Sequence, residues 1–222
     1  LDGKGDVGIF LNYKTRESEE ILVRSGVSLV DMAGARNNLK QELADPFGWD
    51  FEKVVDNARS VWDEYLGRIA IETDDYLQKK KFYTNLYRAL AAKATWSDAD
   101  GRFVDEDERI RQLEKPDDCI VSGEYWNTFW NNQQLFNLMA PEISSQWARS
   151  AIQLYQNSGW FNTDPAGIEH TGVMVAMHPI SQILGAWQSG IRDFDLNIAY
   201  DGLKKMMTAP PQKYEGGGTG EW

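Results

Sequence analysis

Apolar and polar residues along this chain change period near residue 30. Over residues 6–13 the apolar positions partly alternate (Val7, Ile9, Leu11, Tyr13), residues 15–19 are polar enough to turn the chain, and a second apolar run fills 21–30. That period of two predicts two or three strands ending near Val30. Asp31 then stands where a helix N-cap belongs and predicts a helix through Leu43. Asp45, Pro46 and Gly48 break it, and Asp50 caps the clearest helix of the sequence. There Phe51, Val54, Val55, Ala58, Val61, Trp62, Tyr65 and Leu66 recur at helical spacing, which predicts one buried stripe. Asp74 or Asp75 opens the next helix, whose apolar positions run from Tyr76 and Leu77 to Leu90. Later helices are predicted over 122–139, 142–157, 171–189 and 195–208, with Pro141 at a first turn and Gly159 and Gly190 at exits. Serial helices with aromatic faces and no repeat of fixed period predict pairwise stacking rather than a four-helix bundle.

Composition narrows the class of partner. Of 222 residues 42% are apolar and 12% aromatic, ample for a packed core. A net charge of -11 repels nucleic acid and anionic lipid, so neutral or cationic partners fit better. No window approaches the roughly eighteen uninterrupted apolar residues of a membrane span. The single cysteine, Cys119, cannot form an internal disulfide and is expected to be a small buried or half-buried thiol. The start at Leu1 and the Gly-rich stretch 215–220 lead us to expect a piece of a longer polypeptide.

Candidate chemistry gathers in two segments. In 123–134, Glu124, Asn127, Asn131 and Gln134 share one polar stripe of a helix, and Trp126 and Trp130 lie on an adjacent face. Flat rings cover the C–H faces of a sugar, and carboxylate or amide groups take its hydroxyls in pairs. The alternative is that the tryptophans are core and the amides line a wet helix face. In 159–170 a loop holding Trp160 ends on Glu169 and His170, where Glu169 serves either a ligand or a helix start. His178 follows about two turns after His170, so both are expected on one side of a helix. Two histidines without cysteine or an HExxH spacing make no zinc signature. The acidic residues Asp98, Asp100, Asp105, Glu106, Asp107 and Glu108 around Gly101 break the calcium-loop pattern and are expected to form a solvated turn. No nucleophile elbow, P-loop or dinucleotide fingerprint occurs.

Four segments in order resemble glycoside hydrolase family 92, the calcium-dependent exo-α-mannosidases. They are Lys81-Phe82-Tyr83-Thr84-Asn85-Leu86-Tyr87-Arg88, Asp98-Ala99-Asp100-Gly101-Arg102-Phe103, Trp126-Asn127-Thr128-Phe129 and Gly190-Ile191-Arg192-Asp193-Phe194-Asp195. Upstream, Arg24-Ser25-Gly26-Val27-Ser28 and Ala35, Asn38 and Leu39 look like the stretch leaving that family's β-sandwich. The resemblance implies a mainly α fold: residues 1–30 as the last strands of a β-sandwich, 31–50 as a linker helix, and 51–222 as the first half of a six-hairpin α/α toroid. It implies Ca2+ in the pocket, a glycan substrate, a periplasmic or extracellular bacterial protein, and inverting hydrolysis of terminal α-mannosides of the α-1,2 type. Inversion needs an acid and a base with carboxyls roughly 6.5–9.5 Å apart. Glu124 is the closest candidate for the acid by position. Glu169 and His170 would hold the terminal sugar's hydroxyls, Trp126 and Trp160 would wall the pocket, and Asn127 and His178 would join the substrate-binding set. The base and the calcium ligands are expected from the remainder of the polypeptide.

The chain departs from the family pattern at Asn127 and Gly185, where the family has aspartates, at Trp130, where an arginine usually stands, and in the stretch 174–178. These departures keep open a catalytically altered, carbohydrate-binding relative using the same pocket. A purely structural helical interaction domain is the reading from a different class.

Overall fold

The computed structural model describes residues 8–91, 94–105, 107–115, 118–122, 128, 131–161, 165–166, 169–170 and 178–209. Its helices are α1 (Met32–Asn38), α2 (Asp45–Phe47), α3 (Phe51–Gly67), α4 (Tyr76–Leu90), α5 (Asn132–Met139), α6 (Pro141–Ser158), α7 (His178–Gln188) and α8 (Leu196–Thr208). A π-helical stretch, Leu39–Ala44, joins α1 to α2. Six short strands complete the order: β1 (Ala94–Thr95), β2 (Arg102–Val104), β3 (Ile110–Gln112), β4 (Val121–Ser122), β5 (Pro165–Ala166) and β6 (Glu169–His170). They pair antiparallel as β1 with β4, β2 with β3 and β5 with β6.

Helices begin where the sequence supplies a cap. The Asp31 carboxylate accepts from the Gly34 amide at 2.6 Å, Asp50 from Lys53 at 3.1 Å, and Asp195 from Asn197 and Ile198 at 2.9 and 3.1 Å. Asp75, rather than Asp74, caps α4 through the amides of Leu77 and Gln78. Each satisfies donors that the first helical turn leaves without a backbone partner. Pro141 occupies the first turn of α6, and Gly159 and Gly190 leave their helices at φ 75° and 90°, which side chains disfavour.

Three expectations are corrected. Residues 8–30 contain no strand, and Ile9, Phe10 and Val27 stand 87%, 86% and 76% exposed. Alternation supplies an apolar face, but a strand pair needs a further strand or layer to bury it, and among the described residues no packed layer covers this face. The helix predicted over 122–139 is described as α5 from Asn132, while its first residue, Ser122, belongs to strand β4, because Ile120 and Val121 bury into the core and pair with residues 94–96; residues 123–127 and 129–130 of that helix lie outside the described residues. The stripe of α3 is only half-buried, and Phe51 remains 60% exposed, since α3 packs chiefly on α4 and α2.

The core centres on α6. Trp147 joins Phe136, Met139, Leu86 and Val121, while Ala151 and Ile152 join Phe161, Ile183, Ala199 and Met206. Leu154 joins a third cluster with Phe103, Leu113 and Ile120. The Phe136 and Trp147 rings lie 4.3 Å apart, and Tyr155 stacks on Phe161 at 4.8 Å. Helix α8 approaches through Gly202, where a Cβ would come within 2.5 Å of the Phe161 ring. Helices α5 and α7 pack on α6 and on each other. Their contact carries the candidate site.

Candidate functional site

Helices α5 and α7, which pack on each other, carry four buried polar side chains: Gln133 and Asn137 on α5, His178 and Gln182 on α7. Gln133 and Asn137 are one turn apart on α5, as are His178 and Gln182 on α7, so each pair shares a helix face. Gln133 Nε2 donates to Asn137 Oδ1 at 3.0 Å, and Asn137 Nδ2 donates to Ser189 Oγ at 3.1 Å, just beyond the end of α7. At Gly185 a Cβ would lie 3.6 Å from Gln133 Cγ and 3.7 Å from Asn137 Nδ2, which measures how near the helices run. Gln182 is 2% exposed, yet among the described residues neither its Nε2 nor its Oε1 has a hydrogen-bond partner. An unpaired buried amide costs on the order of 1–3 kcal/mol, so its donor and acceptor are available to a guest that can reach them. No charged side chain belongs to this set, and its chemistry suits neutral hydroxyls.

The predicted site residues attach to this layer through the chain. Helix α5 follows 123–130 and α7 follows 171–177. The hairpin of β5 and β6 sets Ala166 opposite Glu169 and Pro165 opposite His170, and β5 contacts β4, which leads into residue 123. Glu124, Trp126 and Asn127 lie outside the described residues, and of Glu169 and His170 the backbone is described. His178 lies in α7 and is buried, whereas His170 belongs to β6, so helical spacing does not relate the two histidines. Trp160 is 8% exposed and packs with Phe161, Ile183 and Met206, and the Lys205 ammonium sits 5.5 Å from its ring centre. The sequence reading missed Gln133 and Gln182. Their signal was an amide at each helix's apolar spacing, which resembles an ordinary wet face.

The acidic stretch is solvated only in part: Asp100, Asp107 and Glu108 are exposed as expected, whereas Asp98 and Asp105 are not. Asp98 and Asp105 are 5% and 2% exposed because each carboxylate is surrounded by donors. Asp105 accepts from the amides of Asp107 and Arg109 and from Arg111 Nε at 2.6 Å. Asp98 accepts from Ser28 Oγ at 2.7 Å and Asn38 Nδ2 at 2.8 Å, and Asn38 Oδ1 accepts from the Ala99 amide. Beside them Arg102 bonds Asp31 at 2.9 Å and Asp100 at 2.8 Å. The Gly34 amide first, and then Arg102, hold the Asp31 carboxyl below its usual range, and the same pairing pushes the Arg102 guanidinium further up. A Cβ at Gly34 would meet Asp98 Oδ2 at 2.2 Å, and one at Gly26 would meet Ala35 O at 2.2 Å. Three of the segments that carried the resemblance thus meet in one knot.

A cleft of about 430 Å³ opens between residues 113–119, α6 and residues 192–198. It holds none of the predicted site residues. Its Arg149 is bound to Asp118 at 2.6 Å and Asp193 at 2.5 Å, so that guanidinium is already paired within the protein. Cys119 borders it, half-buried as expected, and burial pushes its thiol up. Among the described residues no three His, Cys, Asp or Glu side chains group to hold a metal ion, and no helix is long and apolar enough to cross a membrane.

The profile of the glycosyl hydrolase family 92 catalytic domain matches residues 34–222. Among solved structures, a family GH92 inverting mannosidase from Bacteroides thetaiotaomicron VPI-5482 superposes with a TM-score of 0.73 at 27% identity, over 87% of this chain and 26% of that one. A family GH92 alpha-mannosidase from Bacteroides thetaiotaomicron gives a TM-score of 0.72 at 25% identity, over 82% of this chain and 24% of its own. The same alpha-mannosidase in complex with mannoimidazole gives 0.71 at 26% identity, over 82% of this chain and 23% of that one. The chain therefore spans about a quarter of the length of these structures. No curated protein matches it.

Proposed function

We propose, from the premise that this chain belongs to glycosyl hydrolase family 92 and is similar to mannosidases, that the whole protein removes terminal α-mannosyl units from a glycan with inversion. The observation that carries the reading is the buried, uncharged hydrogen-bonding layer of α5 and α7, placed where the segments bearing the candidate acid and sugar ligands join those helices. A mannoside presents neutral hydroxyls, and an amide can give to one and take from another. Family membership supplies the reaction class; the layer supplies the site's chemistry in this chain.

In this reading Glu124 protonates the leaving oxygen, Glu169 and His170 hold hydroxyls of the terminal sugar, and Trp126 covers its face. Asn127 completes the rim. Trp160, being buried, backs the wall from the core side. His178 and Gln182 form the floor on α7. The base, held roughly 6.5–9.5 Å from the acid across the sugar, comes from polypeptide outside this chain. The serial helices would be the first half of an α/α toroid and residues 1–30 the edge of a β-sandwich, which would cover the apolar side chains left exposed there. An α-1,2 linkage and a periplasmic or extracellular setting follow from the resemblance. Calcium belongs to the same proposal. The described residues do not compose a site for it, since calcium favours several oxygen ligands including carboxylates and the buried layer offers amides and an imidazole. No step is assigned to the ion.

A second reading is favoured by Gly185: where the resemblance expects a carboxylate, this chain has no side chain, and α7 makes ordinary contact with Gln133 and Asn137. It is a relative that binds mannosides without cutting them. Glu124→Gln in the full-length protein separates the two. We expect turnover of an aryl α-mannoside to fall roughly 10²–10⁴-fold with binding retained. Unchanged turnover removes Glu124 from the mechanism, and a wild-type protein that binds without turning over establishes the second reading.

A further inference from the structure

We propose that Asp98 is a positioning residue that fixes the segment entering the site at residue 123. Its catalytic consequence rests on the reading above; its structural consequence does not. The hydrogen-bond polarity shows why a carboxylate is needed. Ser28 Oγ already accepts from the amides of Val30 at 2.9 Å and Asp31 at 3.3 Å, so its own proton is directed to Asp98 Oδ2. Asn38 Oδ1 is occupied by the Ala99 amide, so its Nδ2 faces outward as a donor, shared between Val27 O and Asp98 Oδ1. Both neighbours thus present protons, and a residue here must accept from both. Asparagine would turn an NH2 on one of them, and a side chain at position 34 would meet Asp98 Oδ2 at 2.2 Å, so the absence of one at Gly34 is what admits the carboxylate.

The anchored carboxylate is coupled to the site through a short rigid path. Two residues before it, the Trp96 amide donates to Ile120 O at 2.8 Å, and Ser97 Oγ accepts from the Ile120 amide at 3.2 Å. Thr95 and Ala94 then pair with Val121 and Ser122. On its other side β4 is held by α6, whose Ser150 Oγ accepts from the Val121 amide at 2.9 Å. Residue 123 follows directly. The knot and α6 therefore grip β4 from opposite sides, and release of Asp98 frees one of the two grips.

Hydrogen–deuterium exchange on the full-length protein tests this. In Asp98→Asn we expect the amides of 119–122 to exchange roughly tenfold faster, with those of α6 and α8 unchanged and wild-type behaviour in the surface control Asp56→Asn. With an aryl α-mannoside, kcat should fall while KM holds, the pattern of a misplaced proton donor. Unchanged exchange at 119–122, or a uniform rise along the chain, overturns the inference. If Asp98→Asn does not fold, Ser28→Ala removes one donor and is held to the same criterion. A wild-type protein without turnover whose exchange responds as described leaves the positioning intact and defeats the catalytic reading instead.

Discussion

Residues 8–75 and the helices α5 to α8 are held together in different ways. In the first region side chains such as Phe10, Val27, Trp49 and Phe51 are 86%, 76%, 60% and 60% exposed, and order comes from directional contacts. Arg24 lies over the Trp49 ring at 3.8 Å and donates to Gly48 O at 2.6 Å, and Ser28 and Asn38 reach across to Asp98. In the second region Phe136, Trp147, Phe161 and Ile183 are 2% exposed or less, and packing dominates. A few polar bonds hold a segment in register without burying much area; packed aromatics supply stability in bulk. Mutations of equal size should therefore differ in cost according to region.

The widest separation is expected from two phenylalanines. Phe161→Ala should lower unfolding free energy by about 3–5 kcal/mol, because it empties a fully enclosed site against Tyr155 and Gly202. Phe51→Ala should stay within about 0.5 kcal/mol. Urea denaturation of both variants decides, and equal losses would mean the first region is packed after all.

A smaller effect of opposite sign is expected inside the second region. Gln182→Leu removes a buried amide that has no partner, so stability should rise by about 1 kcal/mol while affinity for a mannoside falls. Thermal unfolding paired with calorimetric titration gives both quantities. A variant that loses stability and keeps affinity would make Gln182 a structural residue.

The smallest effect concerns the caps of the first region. Backbone donation to Asp31 by Gly34 and to Asp50 by Lys53 lowers both carboxyl pKa values below the ordinary 3.8. A depressed folded-state pKa contributes stability that is complete above the unfolded value and lost as pH falls through the folded one. The melting temperature should therefore decline most steeply below pH 3.8, and Asp50→Asn should flatten that decline. An unaltered slope in the variant would show that the cap carries no such linkage.

How much the sequence revealed follows from how far apart the deciding partners lie. Asp31, Asp50 and Asp75 were legible as caps, or nearly so, because the amides they bind are two or three residues away. Gly159 and Gly190 were legible for the same local reason. The burial of Asp98 was not, since its donors at Ser28 and Asn38 are 70 and 60 residues distant and its acidic neighbours suggested solvent. Strand β4 went unpredicted, its last residue counted into the following helix, because the run is short and its pairing with 94–95 is decided by tertiary contact. Of the candidate site the sequence offered Glu124, Glu169, His170 and His178 as polar groups in distinctive segments, while the buried amide of Gln182 needed a second helix beside it to be recognised.

The knot also bears on where the folding unit begins. Similarity to the family profile starts at residue 34, yet Gly26 and Ser28 lie upstream and are fitted against Ala35 and Asp98. Trimming the polypeptide at the edge of detectable similarity would leave Asp98 lacking one donor and Ala35 lacking its close neighbour. Ser28 and Gly26 therefore belong to the same set of contacts as Asp98, and a cut intended to keep those contacts intact belongs before Arg24, which itself reaches Gly48 and Trp49.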